Sequence, residues 1–310
     1  MRGKDDVLEH LRSTRDEGHR PLTDGLGELR ARLAPLERHV VDLDVLGYTV
    51  IENALSPSAL ADLRGGLLSA AAEDDAARGG AAPVDLRSGA GHRDRTQEVV
   101  MLLTRGGRAY EELLVRPEPL QLITYLLGRN RVLSSMTGYV KGPGSTGLGI
   151  HSDTAYVPDP VAPYAQLANV NYCLSDYTRA DGCLRIVPGS HRYGHRPRGD
   201  LAAESAVPVE APAGSAIVFH GNTWHGAHPR TNDGLRLTVS VLFARSYLRP
   251  QEHYGPALTP GFLDRNPPIV RDLLGLDLPT GWSTPAEAAD VVRLRREKAP
   301  SFYRSRAQHT

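Results

Sequence analysis

A mainly β domain, a sandwich or barrel with helices flanking it, is what this sequence predicts, and three observations carry the prediction. From about Arg131 to Arg245 the chain runs as short apolar or alternating segments cut by Gly and Pro turns. Helical leucine spacing is confined to the stretches before it, and one charged helical segment follows it. No repeat or low-complexity tract offers a competing architecture.

From Val7 to about Val40, leucines recur at helical spacing among many charges, which predicts one or two surface helices and an N-terminal appendage over 1–42. The run from Val45 to Ile51, short and β-branched, predicts a strand. Ser56-Pro57 places a cap and a first-turn proline before Leu60, Leu63, Leu67 and Leu68, so a helix should run to about Glu73. Residues 78–98 are rich in Gly, Pro and charge without a period and are expected to form a loop. A further helix fits Pro119 to Leu127, stopped by Gly128.

The β region should contain strands over Val132–Val140, Gln166–Leu174, Cys183–Val187, Ser215–Phe219 and Leu235–Phe243. It anchors a main domain over 43–250. The remaining segment, 251–310, reads as Pro-rich loops with one helix around Thr284–Lys298, an extension packed on that domain.

At 310 residues the chain can bury a core without staples. Acidic and basic residues balance at 36 each and are scattered, which points to a small-molecule partner and away from nucleic acid or a membrane surface. Cys173 and Cys183 form no CxxC pair and are expected to be buried thiols. The charged opening segment and the lack of a long apolar run predict a cytoplasmic protein.

Two His-x-Asp motifs occur, at His92 and at His151, about the number that 12 histidines and 36 acidic residues give by chance. Context separates them. His92 and Asp94 sit in the polar loop, where a metal site would be poorly held. His151 and Asp153 follow a strand and a Gly-rich turn, and at spacing i, i+2 on a strand both would point the same way. Two imidazoles and a carboxylate on one face of a metal leave positions open for a cosubstrate and oxygen, the pattern of non-haem iron(II) oxygenases.

The third ligand would come from His220, His225 or His228. Arg236, eleven residues after His225, favours that histidine. Alternation puts Arg236, Thr238 and Ser240 on one face of their strand. An inward arginine needs an anion, and a dicarboxylate cosubstrate is one.

Gly47-Tyr-Thr-Val-Ile-Glu-Asn53 with Leu55-Ser-Pro57, His151-Ser-Asp153 with Tyr156, Leu174-Ser-Asp176 leading to Asp181-Gly-Cys-Leu184, Pro188-Gly-Ser-His191, and Gly214-Ser-Ala-Ile-Val-Phe-His-Gly221 with His225 and Arg236 occur in this order. Together they resemble the phytanoyl-CoA dioxygenase family of iron(II)/2-oxoglutarate oxygenases over residues 43 to 245. The resemblance implies a double-stranded β-helix (jelly roll, cupin-like), His151, Asp153 and His225 as iron ligands, and Arg236 on the far carboxylate of 2-oxoglutarate, with O2 as second cosubstrate. It reads His191 as a turn residue and His220 as packing. Ala227 departs from the serine the family often carries there, so that cosubstrate hydrogen bond is expected to be either missing or supplied by Thr238.

Asn169 and Asn171 share a strand face that the resemblance turns into the site, Asn171 toward cosubstrate or substrate. Tyr139, Tyr156 and Trp224 flank the ligands and are candidates for the substrate pocket. The expected reaction is hydroxylation of a small molecule, with Asp153 arguing against halogenation. Arginine far outnumbers lysine, and Ala, Gly and Leu are abundant, a bias of GC-rich coding that leans toward a bacterial secondary metabolite. The alternatives are a metal-binding jelly roll that does not use 2-oxoglutarate and a non-catalytic binding module.

Overall fold

The computed structural model of the protein describes residues 33–77, 96–154, 156–198, 201–259, 261–276, 282 and 284–302. Helix α1 (Pro35–Val45) leads into strand β1 (Tyr48–Ile51), followed by α2 (Pro57–Ala77) and β2 (Thr96–Val99). Three helices, α3 (Leu102–Arg105), α4 (Arg108–Leu114) and α5 (Pro117–Leu127), precede the β region. Its strands are β3 (Arg131–Lys141), β4 (Leu148–His151), β5 (Leu167–Cys173), β6 (Leu184–Ile186), β7 (Val207–Val209), β8 (Ala216–His220), β9 (His225–Ala227) and β10 (Arg236–Arg245). Helices α6 (Leu201–Glu204), α7 (Ile269–Leu273) and α8 (Pro285–Phe302) complete the order.

The strands form two antiparallel sheets, a six-stranded one ordered β1-β8-β5-β10-β3-β2 and a four-stranded one ordered β4-β9-β6-β7. This is the mainly β, helix-flanked jelly roll that the sequence predicts.

Strand alternation divides the large sheet. Val140, Val170, Tyr172, Val218, Val239 and Val241 belong to the main apolar core with Leu67, Leu122 and Ile123 of the covering helices. At Gly138 the fit is so close that a Cβ would lie 2.2 Å from Leu67 Cδ1, so only glycine admits α2 there. The opposite face carries Tyr139, Thr137, Asn171, Asn169, Thr238 and Arg236. Cys173 and Cys183, both free thiols, are buried with Tyr177, Ile217 and Phe219 in a second apolar cluster.

Several expectations shift. The strand expected from Val45 begins at Tyr48, because α1 continues through Val45 and Gly47, at φ +84°, turns the chain. The division expected after residue 42 falls within α1, which packs on β1 and α5. The loop expected to run to residue 98 ends earlier: Thr96–Val99 pair with β3, with Gln97 and Val99 buried. Residues 78–95, including His92 and Asp94, and most of the appendage expected over 1–42 lie outside the described residues. Among the described residues no helix is long and apolar enough to cross a membrane.

Candidate metal centre

His151, the last residue of β4, pairs in register with His225, the first of β9. Cross-strand partners share a face, so the two imidazoles meet, with ring centroids 4.3 Å apart. Asp153 arrives differently from the expected strand geometry. It lies beyond the end of β4, where its backbone N–H donates to the Gly221 carbonyl at 3.0 Å, and this turn aims its carboxylate at the histidines. Asp153 Oδ1 is 3.5 Å from His225 Nε2. One ligand atom from each of the three residues lies within 4.8 Å of the others, and among the described residues this is the one group of its kind.

The protonation pattern suits a cation. His151 Nδ1 is 2.9 Å from the Gly149 carbonyl and His225 Nδ1 is 2.8 Å from the Thr223 carbonyl. A carbonyl only accepts, so each Nδ1 carries the proton and each Nε2 presents its lone pair. Burial holds His225 below the usual imidazole range although Asp153 pulls the other way, which keeps the ring neutral. Asp153 Oδ2 is buried with no hydrogen-bond partner. Two fixed lone pairs and an unsatisfied carboxylate are what a divalent metal would complete, so the residues present fit an iron(II) ion.

Arg236 opens β10 on the inner face. Its guanidinium carbon stands 4.8 Å over the Tyr177 ring, Nη1 donates to the Gly182 carbonyl, and Nε is buried without a partner. Directly across the ladder lies Lys141, also buried, whose Nζ donates to the His228 carbonyl at 3.1 Å. Sequence reading passed over Lys141, although its alternation with Tyr139 and Thr137 on β3 was available as a signal. Thr238 follows Arg236 on the same face and its hydroxyl donates to Tyr177 Oη at 3.1 Å.

Asn169 and Asn171 both face inward from β5, and Tyr139 lies half-buried opposite Thr238. Burial, the hydrogen bond to Glu98 and the nearby Asp153 charge all push the Tyr139 hydroxyl well above the usual phenol range, so it remains a donor. Two of the expected pocket residues do not join the group. Trp224 alternates with His225 and therefore turns outward, packing with Val187, Ala202 and Ile150. Tyr156 is 95 % exposed and points to solvent. His220 is buried and accepts from the Asn222 backbone, while His191 sits in the 3-10 turn Ser190–Arg192.

The sequence profile of the phytanoyl-CoA dioxygenase family matches residues 43–238, which is more than half of the chain. An uncharacterised protein, Rv1501 of Mycobacterium tuberculosis, is 26 % identical over 247 residues, covering 75 % of this chain and 84 % of the relative. The dioxygenase af480 of Aspergillus fumigatus is 28 % identical over 171 residues, 54 % of this chain and 55 % of that protein. Among solved structures, the carbocyclase SnoK of nogalamycin biosynthesis, described as non-haem and α-ketoglutarate-dependent, superposes with a TM-score of 0.53 at 22 % identity over 75 % of this chain and 93 % of that one. HygX of Streptomyces hygroscopicus, solved with nickel and 2-oxoglutarate, gives 0.54 at 14 % identity over 70 % and 89 %. At these identities the structural likeness is one of fold.

Proposed function

The chain belongs to the phytanoyl-CoA dioxygenase family, and from that membership and its site we propose an iron(II)- and 2-oxoglutarate-dependent oxygenase that hydroxylates a C–H bond of a small molecule. An oxygenase role follows from the family; the cofactors, the residue roles and the hydroxylation are our reading. The observation that carries it is the convergence of His151, Asp153 and His225 on one point, with two lone pairs fixed by backbone carbonyls.

In this reading His151, Asp153 and His225 would hold iron(II). Bound together, iron(II) and 2-oxoglutarate supply the oxidising power that O2 lends to such sites, with release of succinate and carbon dioxide. Arg236 grips the far carboxylate of 2-oxoglutarate, which satisfies the buried Nε, and its stacking on Tyr177 fixes the guanidinium plane beforehand. Thr238, beside Arg236 on the same face, would contact the cosubstrate only by giving up its bond to Tyr177 Oη, and Asn171, one row further along the sheet, faces the cosubstrate or the substrate. Tyr139 and Asn169 face the substrate. Asp153 would supply charge that offsets the metal, and its carboxylate in the third ligand position argues against halogenation, with hydroxylation the expected outcome. A product of bacterial secondary metabolism is the expected substrate source.

The test is optical. Anaerobic addition of iron(II) and 2-oxoglutarate to the protein is expected to give the weak visible absorption of the chelate, and Arg236→Ala should weaken it. A folded, iron-loaded protein without that band would overturn the assignment in favour of a metal-binding jelly roll with other chemistry.

A further inference from the structure

Paired residues of an antiparallel sheet share a face, so the inner face of the large sheet is ordered in cross-strand rows. Lys141 and Arg236 make the first row. Tyr139, Thr238 and Cys173 make the second, with Glu98 at the β2 edge. Thr137, Ser240 and Asn171 make the third, and Ser135, Leu242 and Asn169 the fourth. Charge is confined to the first two rows among the described residues. Over β3, β10 and β5 the last two carry hydroxyls and carboxamides with Leu242, and on β8 they end in Ile217 and Phe219.

Their hydrogen bonds are incomplete. Asn171 is 9 % exposed and its Oδ1 is buried without a partner. The Ser240 hydroxyl donates to Asn169 Oδ1 at 2.8 Å, and the Asn169 amide N–H groups, which are open to solvent, have no protein partner among the described residues. Ser135 donates to Gln251 Oε1 at 3.0 Å, at the exposed end of the fourth row. Buried amide oxygens are ordinarily satisfied, so the lone Asn171 Oδ1 marks the place of something that bonds to it. Ser240 is only half-buried, so solvent reaches the third row.

We propose that the third and fourth rows seat the substrate, and that the part of it lying there is hydroxyl-rich and uncharged, as in a glycoside or a cyclitol. The proposal rests on the oxygenase reading above and adds the substrate class to it. A hydroxyl both donates and accepts, which answers a carboxamide that presents one group of each kind. A hydrocarbon chain would strip water from Thr137, Asn169, Asn171 and Ser240 and return no hydrogen bond. An anionic substrate would find its cations in the first row, which the cosubstrate takes.

Protein loaded with iron(II) and 2-oxoglutarate, its chelate band recorded first, is offered two sets of probes. One contains methyl glycosides, disaccharides and cyclitols; the other contains octanoyl-CoA, palmitoyl-CoA and free amino acids. Members of the first set are expected to shift the chelate band and to speed succinate release, and those of the second to do neither. Asn169→Leu should then weaken the response to the active glycoside by about tenfold or more, because a site built to bond a hydroxyl loses most when one partner goes, and Asn169→Gln should recover part of it. A response only to acyl-CoA or amino acids, or to neither set, overturns the substrate class and leaves the oxygenase reading standing. A missing chelate band in folded protein overturns the oxygenase reading, and this proposal with it.

Discussion

On the outer face of the six-stranded sheet, Val140, Val170, Val218, Val239 and Val241 lie under helices α2 and α5, and on the inner face Arg236, Thr238, Ser240, Asn171 and Asn169 look toward the metal centre. The same strands supply both. The outer residues are satisfied by contact alone, whereas the inner face leaves Arg236 Nε and Asn171 Oδ1 unpartnered. Outer side chains therefore contribute to stability and inner ones hold groups in readiness for ligands, so substitutions on the two faces should separate stability from function.

The largest expected effect is on the ligand side. Asp153→Ala removes the carboxylate of the triad and should abolish turnover, with metal affinity falling by at least about a hundredfold, more than the loss usual for second-sphere partners. Because Asp153 Oδ2 has no hydrogen-bond partner, metal-free Tm should stay where it is. Anaerobic metal titration and a thermal melt check both halves; a large loss of Tm would show that the carboxylate is structural.

Next comes the outer face. Leu122 of α5 is fully buried in the core, and Leu122→Ala should cost about 2–5 kcal/mol of stability, read as a lower midpoint in urea. The metal affinity of the fraction that remains folded should be unchanged. A change in affinity would mean that the two faces are coupled through the sheet.

Arg236→Ala follows, at about 1.5–3 kcal/mol for one charge-assisted hydrogen bond, or roughly tenfold to a hundredfold in apparent affinity for 2-oxoglutarate. The chelate titration measures it. Stability should fall little, since the guanidinium is buried incompletely bonded in the protein alone.

How much of this was legible in the sequence follows from strand length. Over ten residues of β10 the alternation is long enough to place Arg236, Thr238 and Ser240 together, and the structure agrees. Strands β7 and β9 have three residues each and β4 four, too few to show a period, so of the small sheet that carries both histidines only β6, within Cys183–Val187, was legible as a strand. Sequence proximity also misled at Trp224, which directly precedes His225 and β9 yet packs away from the ligands with Val187 and Ala202. Tyr156 failed for a related reason, since a turn past the strand end gives no rule for where a side chain points. The convergence of Asp153 depends on its backbone bond to Gly221, a contact between segments that no local pattern encodes.

The finest test sets neighbouring residues of β3 against each other. Gly138 faces outward, where an added Cβ would lie 2.2 Å from Leu67 Cδ1 and 2.8 Å from Leu102 Cδ1. Both neighbours are buried in the core and have little room to retreat. Gly138→Ala should therefore cost about 1–3 kcal/mol by overpacking, seen as a lower Tm. Thr137, one residue earlier, faces inward in the row of Ser240 and Asn171. Thr137→Val keeps the volume and removes only a hydroxyl, so its Tm should hold while its effect appears in the response to substrate. If Thr137→Val loses as much stability as Gly138→Ala, the hydroxyl is bonded within the fold and the inner row is structural; if neither variant shifts Tm, α2 lies less tightly on the sheet than a 2.2 Å overlap requires.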